Sequence, residues 1–171
     1  MKKKTPRPIL GPILQKLAPK VGAVVVIEPK WKIVGQITFP NGKRRYFRYS
    51  SLDLNPLGAS EIPKDKDYAN FFMERMGYPV IPGKTFFSRE WAAAIGSLSD
   101  ADAAYRYARS LGFPVVVKPN SGSQGVGVAF AHNKRELYRA LRFVFKRDRV
   151  AGVEEIVRGQ DYRIVILAGK V

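Results

Sequence analysis

The sequence predicts an α+β fold, in which an antiparallel sheet is covered on one face by two helices, with incomplete flanking α/β elements. Three observations predict it. Between residues 84 and 157 the hydrophobic period alternates in the order strand, helix, strand, strand, helix, strand. The two middle strands are separated by only seven loop residues, Pro119 to Gly125. A crossover between parallel strands takes about a dozen or more, so the pair reads as a hairpin. Each of the two longer helices also carries a start signal, Ser99 for one and Asn133 with Glu136 for the other.

The elements follow in order. Residues 1–20 read as a basic tail and a short helix. Gly11-Pro12 puts proline at a first helical position, Ile13, Leu14 and Leu17 form the apolar side, and Pro19 stops it. Val21 to Ile27, Lys32 to Phe39 and Arg45 to Tyr49 are strand candidates, the last two joined by the hairpin signal Pro40-Asn41-Gly42. Ser50 to Pro63 has no period and carries Asn55, Pro56 and Gly58, so it reads as a loop. Asp65 or Asp67 caps a helix to Met76, ended by Gly77, and Tyr68, Phe71, Phe72 and Met76 make a face that the spacing assigns to the core. Tyr78 to Pro82 is extended and Lys84 to Phe87 is a strand. Ser88 caps a short helix through Ile95, with Trp91 packing. Ser99 caps a longer one through Leu111, which buries Ala101, Ala104, Ala108 and Leu111 and stops at Gly112. After the hairpin, Leu137, Ala140, Leu141 and Val144 form the buried stripe of the next helix. Val150 to Val157 and Tyr162 to Leu167 are the last strands.

Composition bounds the function. The chain has 171 residues and no cysteine, so disulfides, thiolate nucleophiles and Cys-ligated metals are excluded. A single histidine, His132, excludes a His-pair zinc site and reads as solvated. No apolar run approaches the roughly 20 residues of a membrane span. Met1-Lys2-Lys3-Lys4 imitates the start of a signal peptide, but Pro8, Pro12 and Lys16 interrupt any apolar segment behind it, and the expectation is a cytoplasmic protein. The net charge is +16 and uneven: residues 1–60 hold 12 basic and 2 acidic side chains, residues 61–110 hold 7 and 7, and residues 111–171 hold 11 and 5. A basic surface attracts phosphates of any kind, so a nucleic-acid module on residues 1–60, using Tyr46 to Tyr49, stays as an alternative. The scattered charges rank it below an ordinary soluble domain.

The stretch Gly112 to Phe130 carries the sharpest chemistry. Phe113 to Val117 is a β-branched strand ending in Lys118. Pro119 to Gly125 is a polar loop carrying Gly122 and Gly125, and Val126 to Ala131 returns as a strand. A lysine thus emerges at the mouth of a loop whose glycines let backbone N–H groups turn toward one point, an arrangement suited to a polyphosphate. The plain alternative is a surface hairpin with one solvated lysine. The spacing G-x-x-G-x-G with a strand behind it is not the dinucleotide fingerprint, and no G-K-[ST] ending makes it a Walker loop.

In this order the motifs resemble those of the ATP-grasp superfamily over about residues 64 to 171. Asp65-Lys66 with Gly77 to Pro82 resembles the entry to the ATP region, and Gly112 to Pro119 the phosphate-lysine strand. Ser121 to Gly127 resembles the mobile glycine lid, and Val153 to Arg163 the adenine hinge and ribose site. The resemblance implies residues 1–63 as a basic N-terminal region with a hairpin, residues 64–157 as the nucleotide-binding (lid) subdomain, and residues 158–171 as the start of a truncated C-terminal subdomain. It places Lys66 and Lys118 on phosphates, with the amides around Ser121, Gly122, Ser123, Gln124 and Gly125 closing over them. It puts the backbones of Glu155 and Val157 on adenine with Glu154 nearby, Asp161 on the ribose and Arg163, as the catalytic residue, on the transferred phosphoryl group.

The Asp161-Tyr162-Arg163 pattern with Gly169-Lys170 is similar to the cyanophycin synthetase and glutathione synthetase side of the superfamily. The implied reaction is carboxylate–amine ligation through an acyl phosphate. Expected ligands are ATP and Mg²⁺, with the metal's ligands placed beyond residue 171 and none assigned here, so the chain alone is expected to be inactive. Expected partners are amino-acid or peptide carboxylate and amine substrates, with a homo-oligomer left open and neither membrane nor nucleic acid favoured. A non-catalytic nucleotide-binding fragment is the further alternative.

Overall fold

The computed structural model describes residues 10–160, Tyr162 and residues 164–166. The chain forms two compact units that part between Ser60 and Glu61. In the first unit, helix α1 (Leu10–Leu17) and a 3-10 turn (Ala18–Val21) precede strands β1 (Val24–Ile27), β2 (Val34–Thr38), β3 (Arg44–Arg48) and β4 (Ser51–Leu52). These strands form an antiparallel sheet in sequence order. Its core is Ala18, Ala23, Ile37 and Phe47. The Asn41-Gly42 hairpin is present: Gly42 has φ +78° and its N–H donates to the Phe39 carbonyl at 2.9 Å.

Two expectations change in this unit. The first strand starts at Val24 because the 3-10 turn runs through Val21 and closes at Gly22, with φ +66°. Ser50 to Pro63 is not a plain loop but holds β4, helix α2 (Leu57–Glu61) and the start of a 3-10 turn, Ile62–Lys64. Elements of two to five residues are too short to show a hydrophobic period.

The second unit contains α3 (Lys66–Arg75), β5 (Gly83–Phe87), α4 (Arg89–Ile95), α5 (Ala101–Leu111), β6 (Val115–Pro119), β7 (Ala129–Ala131), α6 (Lys134–Phe145) and β8 (Val150–Glu155). Its sheet is antiparallel throughout, in the order β5-β8-β6-β7. α5 and α6 supply Ala104, Ala108, Leu137, Leu141 and Val144 to a core whose sheet side is Val115, Val117, Ala151 and Val153. Alternation along β6 buries Val115 and Val117 and sends Val116 and Lys118 to the opposite face. The α+β sheet with two covering helices is therefore the observed fold.

The caps follow local chemistry. Ser88 Oγ accepts from the Trp91 N–H at 3.2 Å. Asn133 Oδ1 accepts from the Glu136 N–H at 3.0 Å, and the His132 N–H donates back to the Glu136 carboxylate at 2.9 Å. The α5 cap is Asp100, not Ser99. Its carboxylate accepts from the N–H groups of Asp102 and Ala103 at 3.0 and 2.9 Å, and a carboxylate is at least as good a cap as a hydroxyl. Asp65 stands at the N-cap of α3, yet its side chain accepts from Asn120 instead of capping the helix.

The expected core face of α3 is exposed: Tyr68 is 58%, Phe71 52%, Phe72 44% and Met76 61% accessible. Period 3.6 shows that a face is apolar, but it does not name a partner, and among the described residues none covers it. The strand after the glycine loop is Ala129–Ala131, not Val126–Ala131, because positive φ at Gly125 and Gly127 keeps the chain turning. β8 ends at Glu155, two residues short of the expected end. Tyr162 and residues 164–166 form no strand, since β-propensity without a ladder partner gives none; Leu167 lies outside the described residues.

Candidate functional site

The face of the second sheet opposite α5 and α6 carries an open cleft of about 440 Å³. Lys66, Asp67, Asn70, Phe71 and Glu74 of α3 form one wall. Pro82 to Thr85, Lys118, Asn120, Gly152 and Glu154 form the other. Its size falls within the roughly 300–1,000 Å³ of small-molecule sites. A second, narrow space of about 30 Å³ lies between Lys66, Lys118 and the loop residues Ser121, Gly122, Ser123 and Gly125. The two lysines line both spaces.

Lys118 leaves β6 opposite Gly152 of β8 and extends over it. Its ammonium pairs with the Glu154 carboxylate at 2.6 Å, and Glu154 is nearly buried. Gly83 makes the room for that carboxylate, since a Cβ there would stand 2.5 Å from the Glu154 Cγ. Lys66 has a different environment. Its ammonium donates to the carbonyls of Asn120 and Gly122, each at 3.0 Å. Among the described residues no carboxylate pairs with it. Burial pushes Lys66 below the usual lysine range, and the nearby Lys118 charge adds to the shift, against weaker support from Asp148, Glu154 and Asp65. The two ammonium groups therefore differ: one is paired directly with a carboxylate, and the other is held by carbonyl dipoles with no carboxylate paired to it among the described residues.

The glycine loop is fastened at its base. The Ser121 N–H and hydroxyl both donate to Asp148 Oδ2, at 2.9 and 2.7 Å. Burial pushes Asp148 up, but those two bonds, with the N–H groups of Val150 and Arg149, outweigh it and hold the carboxyl below its usual range. Beyond Ser121 the backbone takes positive φ at Gly122, Gln124, Gly125 and Gly127. Gly122 and Gly125 have open space on the side-chain side.

The structure thus brings together Lys66, Lys118, Glu154 and the loop Ser121, Gly122, Ser123, Gln124 and Gly125. Glu155 and Val157 lie at the end of β8 and beyond it. The Glu155 N–H donates to the Pro82 carbonyl at 3.0 Å. Asp161 and Arg163 lie outside the described residues, as do Gly169 and Lys170. Two residues of the site have no signature in the sequence, Asn120 and Asp148. Asn120 is 5% accessible and fully hydrogen-bonded, but as one polar residue in a polar loop it carries no signal. Asp148 reads as part of an ordinary helix-to-strand turn. No three His, Cys, Asp or Glu side chains cluster as a metal site among the described residues. No helix of the described residues is long and apolar enough to cross a membrane.

Known proteins are similar to part of this chain. A D-alanine–D-alanine ligase A of Bacillus cereus is 47% identical over 60 residues, covering 35% of this chain and 20% of that protein. A D-alanine–D-alanine ligase of Acetivibrio thermocellus is 30% identical over 109 residues, covering 64% of this chain and 28% of that protein. Among solved structures, a D-alanine–D-alanine ligase of Bacillus anthracis superposes with a TM-score of 0.47 at 29% identity, over 59% of this chain and 30% of that one. A D-alanine–D-alanine ligase of Bacillus anthracis complexed with ATP gives 0.46 at 26% identity, again over 59% and 30%. This chain spans 20 to 28% of the length of the two relatives compared by sequence. The narrower likeness to cyanophycin synthetase and glutathione synthetase gains no support from these proteins. The family described as the D-ala D-ala ligase C-terminus matches residues 72–171, which takes in the lysine strand, the glycine loop and the hinge. The chain belongs to that family, and with it to the ATP-grasp superfamily.

Proposed function

We propose that this chain binds ATP as part of an ATP-dependent carboxylate–amine ligase that works through an acyl phosphate, with amino-acid or peptide substrates. The observation that carries the reading is the shared wall. One ammonium held by carbonyls, Lys66, and one ion-paired ammonium, Lys118, stand between a nucleotide-sized cleft and a glycine loop fastened at Ser121. ATP supplies the phosphoryl group that activates the substrate carboxylate, and an amine then displaces phosphate. Such transfer depends on positioning and charge neutralisation. Lys66 supplies the free positive charge, and the loop amides supply donors. Lys118 forms a near-neutral pair with Glu154, one residue before Glu155, whose backbone is the place for the base, with Val157 two residues further along. The narrow space under the loop has the volume of about one water molecule, so a phosphate enters it only as the loop swings outward from Ser121. Asp161 on the ribose and Arg163 on the transferred phosphoryl group rest on the family resemblance. The same resemblance supports Mg²⁺ as the partner of the triphosphate, with residues 64–157 as the nucleotide-binding subdomain. The nucleic-acid alternative on residues 1–60 is not favoured, because the family match and the ligase relatives support ligation as the function.

Titration calorimetry with ATP and GTP tests the reading: binding with a preference for adenine is expected, and equal, steeply salt-dependent binding of both contradicts it. The pH dependence is specific. Phosphate binding needs Lys66 protonated, so affinity falls as pH rises through its depressed pKa, before an ordinary lysine near 10.4 would respond. The loss reaches about tenfold once the charge is gone. Lys66→Arg, which stays charged, is expected to extend the plateau upward. In the free protein the sign is the reverse. The fold holds Lys66 less protonated than the unfolded chain does, so this group makes stability rise with pH between its lowered pKa and 10.5.

A further inference from the structure

We infer that Asn120 is a positioning residue for ATP: its carbonyl holds the Lys66 ammonium beneath the glycine loop, and its side chain keeps Asp65 and Asp67 from pairing with that ammonium. The inference rests on the ATP-binding reading above. Asn120 follows β6 directly, and its N–H donates to the Val150 carbonyl at 3.0 Å, which anchors its backbone to the strand that carries Glu154. Everything else it offers goes to three consecutive residues more than fifty positions earlier. Its Nδ2 donates to Asp67 Oδ1 at 2.7 Å and to Asp65 Oδ1 at 3.3 Å, and its Oδ1 accepts from the Asp67 N–H at 3.2 Å. Its carbonyl accepts from the Lys66 N–H at 3.3 Å and from the Lys66 ammonium at 3.0 Å.

The side-chain type follows from this geometry. The position needs two donors for two carboxylates, one acceptor for an N–H, and no charge of its own, and a buried primary amide of this length meets all three. An aspartate there would face Asp65 and Asp67 with like charge and no donor. Alanine would leave both carboxylates without that donor and free to turn to Lys66, which stands between them in the sequence. By occupying them, Asn120 leaves the Lys66 charge available to an incoming phosphate. Because Lys66 also donates to the Gly122 carbonyl at 3.0 Å, the start of α3 and the fixed base of the loop move as one piece.

A double-mutant cycle on the whole 171-residue chain, read by calorimetry with ATP, tests this. Asn120→Ala is expected to weaken ATP binding about tenfold, the value of a charge-assisted contact. In combination with Lys66→Ala it is expected to add less than about twofold, because the Asn120 side chain acts on ATP only through the Lys66 charge, whereas with Lys118→Ala the losses multiply. Asn120→Asp is expected to do as badly as Asn120→Ala despite its shape, and Asp67→Asn in that background to restore part of the binding. Losses that multiply with Lys66→Ala, or a Lys66→Ala defect with no defect in Asn120→Ala, overturn the inference while leaving the ATP reading intact. Equal binding by the parent and both lysine variants overturns the ATP reading, and this inference with it. If Asn120→Ala fails to fold by circular dichroism, Asn120→Ser, which keeps an acceptor for the Asp67 N–H, runs the same cycle.

Discussion

Lys118→Ala is expected to weaken ATP binding by more than tenfold and to destabilise the second unit at the same time. The binding loss follows from a charge-assisted contact worth about 1.5–3 kcal/mol, where roughly 1.4 is a factor of ten. The stability loss has a separate cause. Removing Lys118 leaves the Glu154 carboxylate nearly buried without its counter-charge. Breaking a fully buried pair in this way costs about 3–5 kcal/mol. The Lys118 side chain is 20% accessible, so a figure nearer 2 kcal/mol is expected on the same reasoning. The two effects separate in Lys118→Ala/Glu154→Gln. Denaturant unfolding is expected to recover most of the stability, and calorimetry to recover none of the ATP affinity. Recovery of affinity in the double variant would mean that Lys118 serves only to satisfy Glu154.

Leu141→Ala is expected to cost about 3–4 kcal/mol, within the range of roughly 2–5 for large-to-small core changes. Leu141 and Leu137 of α6 are 1% and 0% accessible and belong to one core with Val115, Val117 and Val153. Phe72→Ala on α3 is the contrast: a larger side chain is removed, but from a face with no partner among the described residues, and about 0.5 kcal/mol or less is expected. Chemical denaturation of both variants checks the pair. A loss above about 2 kcal/mol for Phe72→Ala would show that the α3 face is covered in solution.

The second unit is legible in the sequence because its elements announce themselves twice, once by period and once by a start or stop signal. Leu137, Ala140, Leu141 and Val144 mark the buried side of α6, and the Asn133–Glu136 box marks where it begins. The alternation of Val115 and Val117 against Lys118 is enough by itself to set the direction in which the key lysine points. What stays hidden depends on distant parts of the chain. Nothing in the sequence joins Asn120 to residues 65–67, and the choice between Ser99 and Asp100 as a cap turns on backbone angles. The aromatic stripe of α3 shows how far a period reaches: it reports that a surface is apolar, not that this chain buries it. The pairing of Lys118 with Glu154, which makes the two lysines electrostatically different, is likewise a product of the β6–β8 register.

Hydrogen–deuterium exchange of the chain with and without ATP tests most directly whether the glycine loop and the hinge hold one nucleotide. Slowed exchange is expected in two separate stretches, Ser121 to Gly125 and Glu155 to Val157, and it is expected to need about tenfold more ATP in Lys66→Ala. Protection in only one of the two stretches, or in neither while ATP is bound, contradicts the account.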